Sequence, residues 1–466
     1  MIRLLVSALN RRSAALAVLE CTAIIAVVAL SAEILLGSDR AWLLFLYENG
    51  WFKAAVIALA CQVCFYFADL YDLRNHEVRD VFIRIVHALG AASVLLAILY
   101  LCVPSLIVAR AVFIIASILT LSAMGVWRLA LERLTHVVAP RERLLIVGTT
   151  PAAIDLAREL FDRRMALGVD IVGFVDPDPS RVGKPVLNPG VIGTLEDIPS
   201  IVRARGVDRV VVSLADARGR LPMDKLLDMR LDGVRFDHLA SVYEEYTGKI
   251  AVENLRPSWL IFSAGFRKTR MLRLLKRSTD VIAAAIGLLL AAPLMAIVAA
   301  AVKITSPGHV LYHQRRVGQY GRIFTVHKFR SMRQDAEAKT GAVWASKAGD
   351  PRVTSIGRFI RKTRLDELPQ LWNVLIGDMS LVGPRPERPT FVEQLTSQIP
   401  FYGQRHFVRP GLTGWAQVRY TYGASVEDAM EKLQYDLFYI KNMSLAFDAF
   451  IALVTVKTVL LRRGAA

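Results

Sequence analysis

Asp366 and Glu367 are adjacent carboxylates inside a strongly basic run, Arg361-Lys362-Thr363-Arg364-Leu365-Asp366-Glu367-Leu368-Pro369-Gln370-Leu371-Trp372-Asn373-Val374-Leu375. Leu365 and Leu368 flank them and are expected to anchor a short helix into a core. Neighbours on a helix point about 100° apart, so the two acids are poorly placed to share one proton and should have separate jobs. The surrounding cations are expected to keep both ionised. An ionised carboxylate can attack phosphorus to form an acyl phosphate, provided a divalent cation and guanidinium groups neutralise the phosphate oxygens. A structural salt-bridge cluster would use the same residue types, and spacing alone leaves both readings open.

Three neighbouring segments bear on that choice. In Lys328-Phe329-Arg330-Ser331-Met332 the two cations are two residues apart. On an extended segment they point the same way, with Phe329 buried behind them, as an anion clamp would require. A solvated basic face beneath anionic lipids is the alternative. In Gly377-Asp378-Met379-Ser380-Leu381-Val382-Gly383-Pro384-Arg385-Pro386-Glu387, two prolines fix the backbone around Arg385 and prepare it as a bidentate phosphate donor. Pro410-Gly411-Leu412-Thr413-Gly414-Trp415-Ala416-Gln417-Val418 is a glycine-rich loop next to Arg405 and Arg409, where backbone amides could approach a phosphate or a nucleobase.

Together, Lys-Phe-Arg-Ser-Met, Leu-Asp-Glu-Leu-Pro-Gln, Gly-Pro-Arg-Pro-Glu and Pro-Gly-Leu-Thr-Gly-Trp-Ala-Gln-Val occur in one order over about residues 273–463. In this the chain closely resembles the bacterial sugar transferases, the monotopic polyprenol-phosphate phosphoglycosyl transferases. The resemblance implies an undecaprenyl-phosphate hexose-1-phosphate transferase that initiates exopolysaccharide or O-antigen (lipopolysaccharide) repeat units. Asp366 would be the nucleophile, displacing UMP from a UDP-sugar to form a phosphosugar ester, and undecaprenyl phosphate would then attack that ester. Glu367 would assist through proton handling or contact with Mg2+, with both acids as metal ligands. Lys328, Arg330, Arg361, Arg385, Glu387, Arg409 and Gln417 are the implied phosphate- or nucleotide-binding set, and Pro293 the break in a re-entrant membrane helix. Two departures put sugar preference in doubt: Arg364 stands where many members have a small residue, and Arg419-Tyr420 where many have Asn-Gly.

The elements that must position this chemistry lie partly in lipid. The 466 residues are 54% hydrophobic and 21% charged, with mean hydropathy +0.39, too apolar for an ordinary soluble protein. The net charge of +17 suits anionic lipid or a phosphorylated substrate. Apolar runs at 14–37, 51–68, 85–103 and 108–127 predict four spans, the first retained as an anchor. Arg3, Arg11 and Arg12, then Arg74, Arg79 and Arg84, then Arg128, Arg133, Arg141 and Arg143 flank them on one side, against Arg40, Lys53 and Arg110 on the other. That asymmetry places the N-terminus and everything after Arg128 in the cytoplasm, and the resemblance implies a bacterial inner membrane. The bundle is expected to anchor the chain and to help it form a homo-oligomer. Cys21, Cys61, Cys64 and Cys102 all fall in apolar runs, which excludes a disulfide scaffold and reads Cys61-x-x-Cys64 as membrane thiols.

After Pro140, short β-branched runs alternate with helical stretches: strands at 144–147, 171–175, 210–212 and 234–236, helices at 151–166 and 195–205. This predicts a Rossmann-like parallel sheet. Gly148-Thr149-Thr150-Pro151-Ala152-Ala153 lacks the later glycines of a dinucleotide fingerprint, and Asp176-Pro177-Asp178 reads as a turn. Residues 281–302 are apolar again around Pro293, with cations on both flanks, so a hairpin entering and leaving one leaflet is expected. Residues 445–461 suit an interfacial helix. The expected architecture is a membrane α-helical bundle (1–135), an α/β module (141–245), a linker (246–272) and an α+β monotopic catalytic domain (273–466). Within that domain, the re-entrant helix should cover about 279–303 and the interfacial helix about 444–462.

Competing readings are a membrane-tethered nucleotide-sugar dehydratase or epimerase and a non-catalytic polysaccharide-assembly subunit. The first needs an intact glycine fingerprint and a Tyr-x-x-x-Lys pair, which no tyrosine here provides. The second sits poorly with the intact Asp366-Glu367 pair. No nucleic-acid partner is expected.

Overall fold

A computed structural model describes residues 11–68, 70, 78–108, 112, 114–120, 122–124, 126–127, 142–162, 164–213, 223–252, 263, 265–333, 352–420, 423 and 425–460. The chain forms two compact units, Val6–Leu239 and, for the rest, Ala240–Ala466 with Met1–Leu5.

The first unit opens with helices α1 (Arg11–Leu36), α2 (Ser38–Tyr47), α3 (Gly50–Phe67) and α4 (Val78–Cys102). Stretches of α1, α3 and α4, namely Leu16–Leu36, Gly50–Phe67 and Ile83–Cys102, are long and apolar enough to cross a membrane. The expected fourth span falls partly outside the described residues; within it, Ile114–Met124 forms a shorter apolar helix. The helices pack through Ile24, Val28, Ala54, Ala58, Phe65, Ile85, Ala92 and Leu96, leaving outward leucines and isoleucines bare. Small residues at the contacts let helices approach closely where lipid offers no hydrophobic drive. All four cysteines are unpaired.

The same unit holds a five-stranded, all-parallel sheet in the order β3-β2-β1-β4-β5, made of β1 (Glu142–Val147), β2 (Val169–Val175), β3 (Val191–Gly193), β4 (Arg209–Val212) and β5 (Arg235–His238). Leu145, Val147, Val175 and Val210 face helix α6 (Ile198–Arg205) and α7 (Met223–Leu231) in one core, while α5 (Pro151–Asp162) follows β1. Asp176 and Asp178 form the expected turn: Asp178 accepts from Ser180 N at 2.9 Å, and Asp176 accepts from the Thr149 and Asp178 amides at 3.2 and 3.0 Å.

The second unit begins in α8 (Leu239–Thr247) and contains α9 (Arg270–Thr305), an antiparallel hairpin β6 (Leu311–Val317) and β7 (Ile323–Phe329), α10 (Ser355–Lys362), α11 (Gln370–Ile376), β8 (Ser380–Val382), α12 (Pro389–Gln398), β9 (Gly411–Thr413), α13 (Trp415–Arg419), α14 (Val426–Asn442) and α15 (Leu445–Leu460). Trp415 is the hub of its core, with the rings of Tyr435, Phe438, Phe447 and Phe450 at 5.2–6.4 Å. The segment expected as a linker contributes to that core: Ile250 and Val252 are buried in it, and Gly248 O accepts from Trp415 Nε1 at 2.9 Å.

Helix α9 is 36 residues long and carries Pro293 inside it. Ala284, in its first half, packs with Val326, Val374 and Met379; Val298 and Val302, in its second, pack with Phe329 and Ile360. Between these contacts Leu289, Leu290 and Ile297 are 75%, 75% and 66% exposed.

Candidate active site

The dyad stands on a single turn of 3-10 helix, Leu365–Glu367, that runs into α11. Arg364 precedes it at φ 58°, a left-handed backbone that non-glycine residues rarely adopt and that tends to mark functional sites. From that turn the two carboxylates diverge. Glu367 Oε1 meets three cations: Arg385 Nη2 at 3.0 Å, Lys328 Nζ at 3.5 Å and Arg364 Nη1 at 3.6 Å. Asp366 is 9% exposed, and its Oδ1 is buried without a hydrogen-bond partner.

Their protonation separates accordingly. Burial, then the Glu367 charge, push the Asp366 carboxyl up to about 6 against the pull of Lys328, Arg361 and Arg364. Burial works to raise Glu367 as well, but Arg385, Lys328 and Arg364 outweigh it and hold that carboxyl well below the usual range. The cations thus touch Glu367 and reach Asp366 through their charge alone. Burial also draws the Lys328 ammonium down.

Arg385 is held at every step of its backbone. Val382 O accepts from Lys276 Nζ at 3.1 Å and Tyr439 OH at 3.0 Å, Pro384 O from Gly411 N at 2.9 Å, and Arg385 O from Arg405 Nη2 at 3.1 Å. Pro386 O accepts from Arg316 Nη1 at 3.1 Å. Beyond the loop, Val317 N donates to Glu387 O at 2.9 Å. Arg405 is itself buried, paired with Asp436 at 2.8 Å and donating to Tyr402 OH at 2.6 Å. The Arg385 guanidinium bridges Glu367 and Gln417, donating to Gln417 Oε1 at 3.0 Å; Gln417 Nε2 is buried and unpartnered.

Several sequence expectations are revised. Arg330 does not face the dyad: it is 6% exposed and donates to Ser306 O, Pro307 O and Ser306 Oγ, each at 2.7 Å, capping the end of α9. β7 ends at Phe329, one residue before Arg330. Glu387 pairs with Arg316 at 3.5 Å rather than with the dyad. Arg409 lies beside Arg277, whose guanidinium, lowered by burial and by the Arg409 charge, donates to Val374 O and Leu375 O at 2.6 and 2.8 Å. Arg361 acts on Asp366 through its charge. The loop glycines admit backbone rather than ligand: a Cβ on Gly411 would lie 2.1 Å from Gly383 N, and one on Gly414 2.1 Å from Gly383 O. They let β9 lie parallel to β8. Sequence patterns do not single out Arg316, on β6, or Asp436, remote in sequence, as residues that hold the Arg385 loop through Pro386 O and Arg405.

Among the described residues no three His, Cys, Asp or Glu side chains gather as a metal site. Asp366 Oδ1 nevertheless fits one oxygen ligand of a hard cation whose remaining ligands come from phosphate and water, whereas Glu367 is already neutralised by its cations.

Comparison with known proteins matches residues 271–462 to the family described as bacterial sugar transferase and residues 66–221 to that described as CoA-binding domain. A UDP-N-acetylgalactosamine-undecaprenyl-phosphate N-acetylgalactosaminephosphotransferase of Aeromonas hydrophila is 45% identical over 228 residues, 49% of this chain and 53% of that protein. The UDP-glucose:undecaprenyl-phosphate glucose-1-phosphate transferase of Escherichia coli (strain K12) is 35% identical over 327 residues, 68% of this chain and 67% of that protein. Exopolysaccharide production protein PSS of Rhizobium leguminosarum bv. phaseoli is 41% identical over 196 residues, 40% of this chain and 96% of that protein. The chain thus spans about half to two thirds of the length of the first two relatives and nearly all of the third. On this coverage and identity, and with the dyad and its clamping arginines in one compact unit, the chain belongs to the bacterial sugar transferase family.

Proposed function

We propose that the protein transfers a sugar-1-phosphate from a UDP-sugar to undecaprenyl phosphate, through a phosphosugar ester on Asp366. The observation that carries this reading is the division of labour in the dyad: one buried carboxylate with a bare oxygen beside another that gathers three cations. At neutral pH Asp366 is largely ionised and poorly hydrated, the condition of an activated nucleophile. Its oxygen forms a bond to the sugar-bearing phosphorus as the bond from that phosphorus to the bridging oxygen breaks, and UMP leaves with the electron pair. Undecaprenyl phosphate then attacks the same phosphorus, restoring the carboxylate and releasing the undecaprenyl diphosphate sugar.

Lys328 and Arg385 are positioned to meet the phosphate oxygens, with Gln417 Nε2 as an additional donor. Glu367, ionised throughout the working range, orients these cations rather than carrying a proton. A divalent cation such as Mg2+, held through Asp366, would neutralise further phosphate charge.

The packing of α9 supports a re-entrant course. Ala284 and Val302 are eighteen residues apart, about 27 Å along a straight helix. Their partners Val326 and Phe329 are only about 10 Å apart on β7. A bend near Pro293 satisfies both contacts, leaving Leu289, Leu290 and Ile297 to enter the leaflet. The catalytic unit then rests on the cytoplasmic face of the inner membrane, with α15 lying along the interface through exposed Leu453, Val456 and Val459.

UMP release from UDP-glucose and UDP-N-acetylgalactosamine, the donors named for the relatives, tests this reading in purified membrane protein with and without undecaprenyl phosphate and Mg2+. Sustained release that requires the lipid phosphate supports it. No release from a panel of UDP-sugars overturns it.

A further inference from the structure

Val382 O is the last carbonyl before the Gly383-Pro384-Arg385 run, and three donors surround it: Lys276 Nζ at 3.1 Å, Tyr439 OH at 3.0 Å and Ser380 Oγ at 3.0 Å. Two of the three also meet the Asp448 carboxylate in the first turn of α15. Lys276 Nζ lies 2.6 Å from its Oδ2, and Tyr439 OH lies 2.8 Å from its Oδ1. Beside them Asp280, one turn along α9 from Lys276, accepts from Leu381 N at 3.1 Å, so α9 grips the backbone of β8 at two successive residues.

Counting protons separates the two shared donors. An ammonium carries three and can serve Val382 O and Asp448 together, whereas a phenol carries one. Burial and the Asp448 charge raise the Tyr439 phenol well above its usual range, so that proton stays on its oxygen. It points to Asp448 or to Val382 O, never to both. An ionised Asp448 is the stronger acceptor, because a hydrogen bond to a charged group is roughly twice as strong as a neutral one. Val382 O then keeps only Lys276 and Ser380 of its three donors. A protonated Asp448 donates its own proton to the phenol oxygen and turns the Tyr439 proton toward Val382 O. Burial raises the Asp448 carboxyl above its ordinary 3.8 against the pull of Lys276, and the Asp280 charge adds to the rise. The charged and titratable groups around it are thus Lys276 and Asp280 on α9, Tyr439 on α14 and Lys268 just ahead of α9.

We propose that Asp448 is a positioning residue for Arg385: it competes with Val382 O for the single Tyr439 proton, and the loop that presents Arg385 to the phosphates is held more firmly when that proton goes to Val382 O. The inference rests on the reaction proposed above.

The test is the KM for the UDP-sugar, read from UMP release at pH 8 and pH 5 by wild type, Asp448→Asn, Tyr439→Phe and the double variant. Lys276 fixes the orientation of the new amide: its oxygen faces the ammonium, so its NH2 faces the phenol oxygen and copies the protonated acid. At pH 8 the KM of Asp448→Asn should lie about threefold below wild type, the worth of roughly one hydrogen bond on the loop. In the Tyr439→Phe background the same substitution should leave KM unchanged within about 1.5-fold, because no phenol proton remains to redirect. Toward pH 5 the gap between Asp448→Asn and wild type should narrow as wild-type Asp448 takes up its own proton. Comparing variants at one pH removes the contribution of Asp366, which titrates near 6 in all of them. A lower Tm is expected whether Asp448 positions the loop or only packs, since Lys276 loses its partner charge, and KM decides between the two. A KM in Asp448→Asn equal to or above wild type at pH 8, or an equal fall in the Tyr439→Phe background, overturns the proposal. Should Asp448→Asn fail to fold, wild type and Tyr439→Phe decide: KM should rise more from pH 5 to pH 8 in wild type, and equal rises overturn it. Absence of UMP release from the wild-type protein would sink the reaction itself, and this proposal with it; a contrary KM pattern removes only Asp448.

Discussion

At the scale of residues, the pair Asp366-Glu367 shows how one backbone turn makes two different acids. Burial raises Asp366 to about 6 while the facing cations depress Glu367. If Asp366 is the nucleophile, kcat rises with pH through a limb near 6, and Asp366→Asn shows no UMP release at any pH. The sign for stability is opposite to that of an ordinary ion-paired carboxylate. A folded-state pKa raised above the unfolded 3.8 means that the folded protein binds the proton more tightly, so ionising Asp366 costs stability as pH rises from about 4 to 6 and above. Asp366→Asn should therefore unfold at a higher temperature than wild type at pH 7, with the difference closing toward pH 4; thermal melts at those two pH values check it. An equal or lower Tm at pH 7 would show that the carboxylate is not strained by burial. The pairing of Asp366 and Glu367 was legible in the sequence, because two adjacent acids in a run of cations are conspicuous. Its division of labour was not, since that depends on Lys328 and Arg385, 39 and 18 residues away, choosing the same oxygen of Glu367.

At the scale of elements, the sequence motifs act as fastenings of the fold. The proline-flanked Arg385 loop is held by donors from α9, α14, the hairpin and the 402–407 turn. The glycine-rich loop exists so that two backbones can touch. Arg330, in a signature that resembles a phosphate clamp, closes the end of α9. Sequence periodicity could place the strands and helices, but it could not say that the Arg330 guanidinium would be taken up by Ser306 and Pro307 at the end of α9. Arg330→Met should therefore lower stability by roughly 1–3 kcal/mol through the unmet carbonyls of Ser306 and Pro307, while KM for the UDP-sugar stays within about twofold. Denaturation and steady-state kinetics separate the two effects, and a KM raised tenfold with stability intact would return Arg330 to the phosphate site. The same helix carries the topology prediction. Single cysteines at Lys276 and Lys303, flanking Pro293, should both be labelled from the cytoplasmic side by a membrane-impermeant maleimide. Labelling from opposite sides would make α9 a spanning helix.

At the scale of the whole molecule, the question is how much of the chain the reaction needs. The boundary between the two compact units falls after Leu239, not at the start of the transferase match at 271. The described residues between pack into the same unit: Glu244 pairs with Lys441 at 2.5 Å and accepts from Asn442 at 3.1 Å, Ile250 N donates to Gln434 O at 3.1 Å, and Gly248 seats Trp415. Residues 246–272 read as a linker in the sequence because their local pattern is weak; the partners of Gly248, Ile250 and Lys268 lie far downstream, at Trp415, Gln434 and Lys441. The Rhizobium leguminosarum relative, 96% of which is matched by 40% of this chain, argues that a protein of this family need not carry the remainder. A fragment of residues 238–466 should accordingly fold in detergent or nanodiscs and release UMP with kcat within about threefold of the full chain. A fragment of residues 268–466 removes Ile250, Val252 and the Glu244 pair, and burying two fewer aliphatic side chains with one fewer partly buried ion pair costs on the order of 3–6 kcal/mol. It should melt well below the longer fragment and lose activity with its fold. If the shorter fragment matched the longer in both Tm and kcat, the segment before 268 would be a tether after all. If instead the longer fragment folded but stayed inactive, the membrane bundle or the parallel-sheet module would have to take part in turnover.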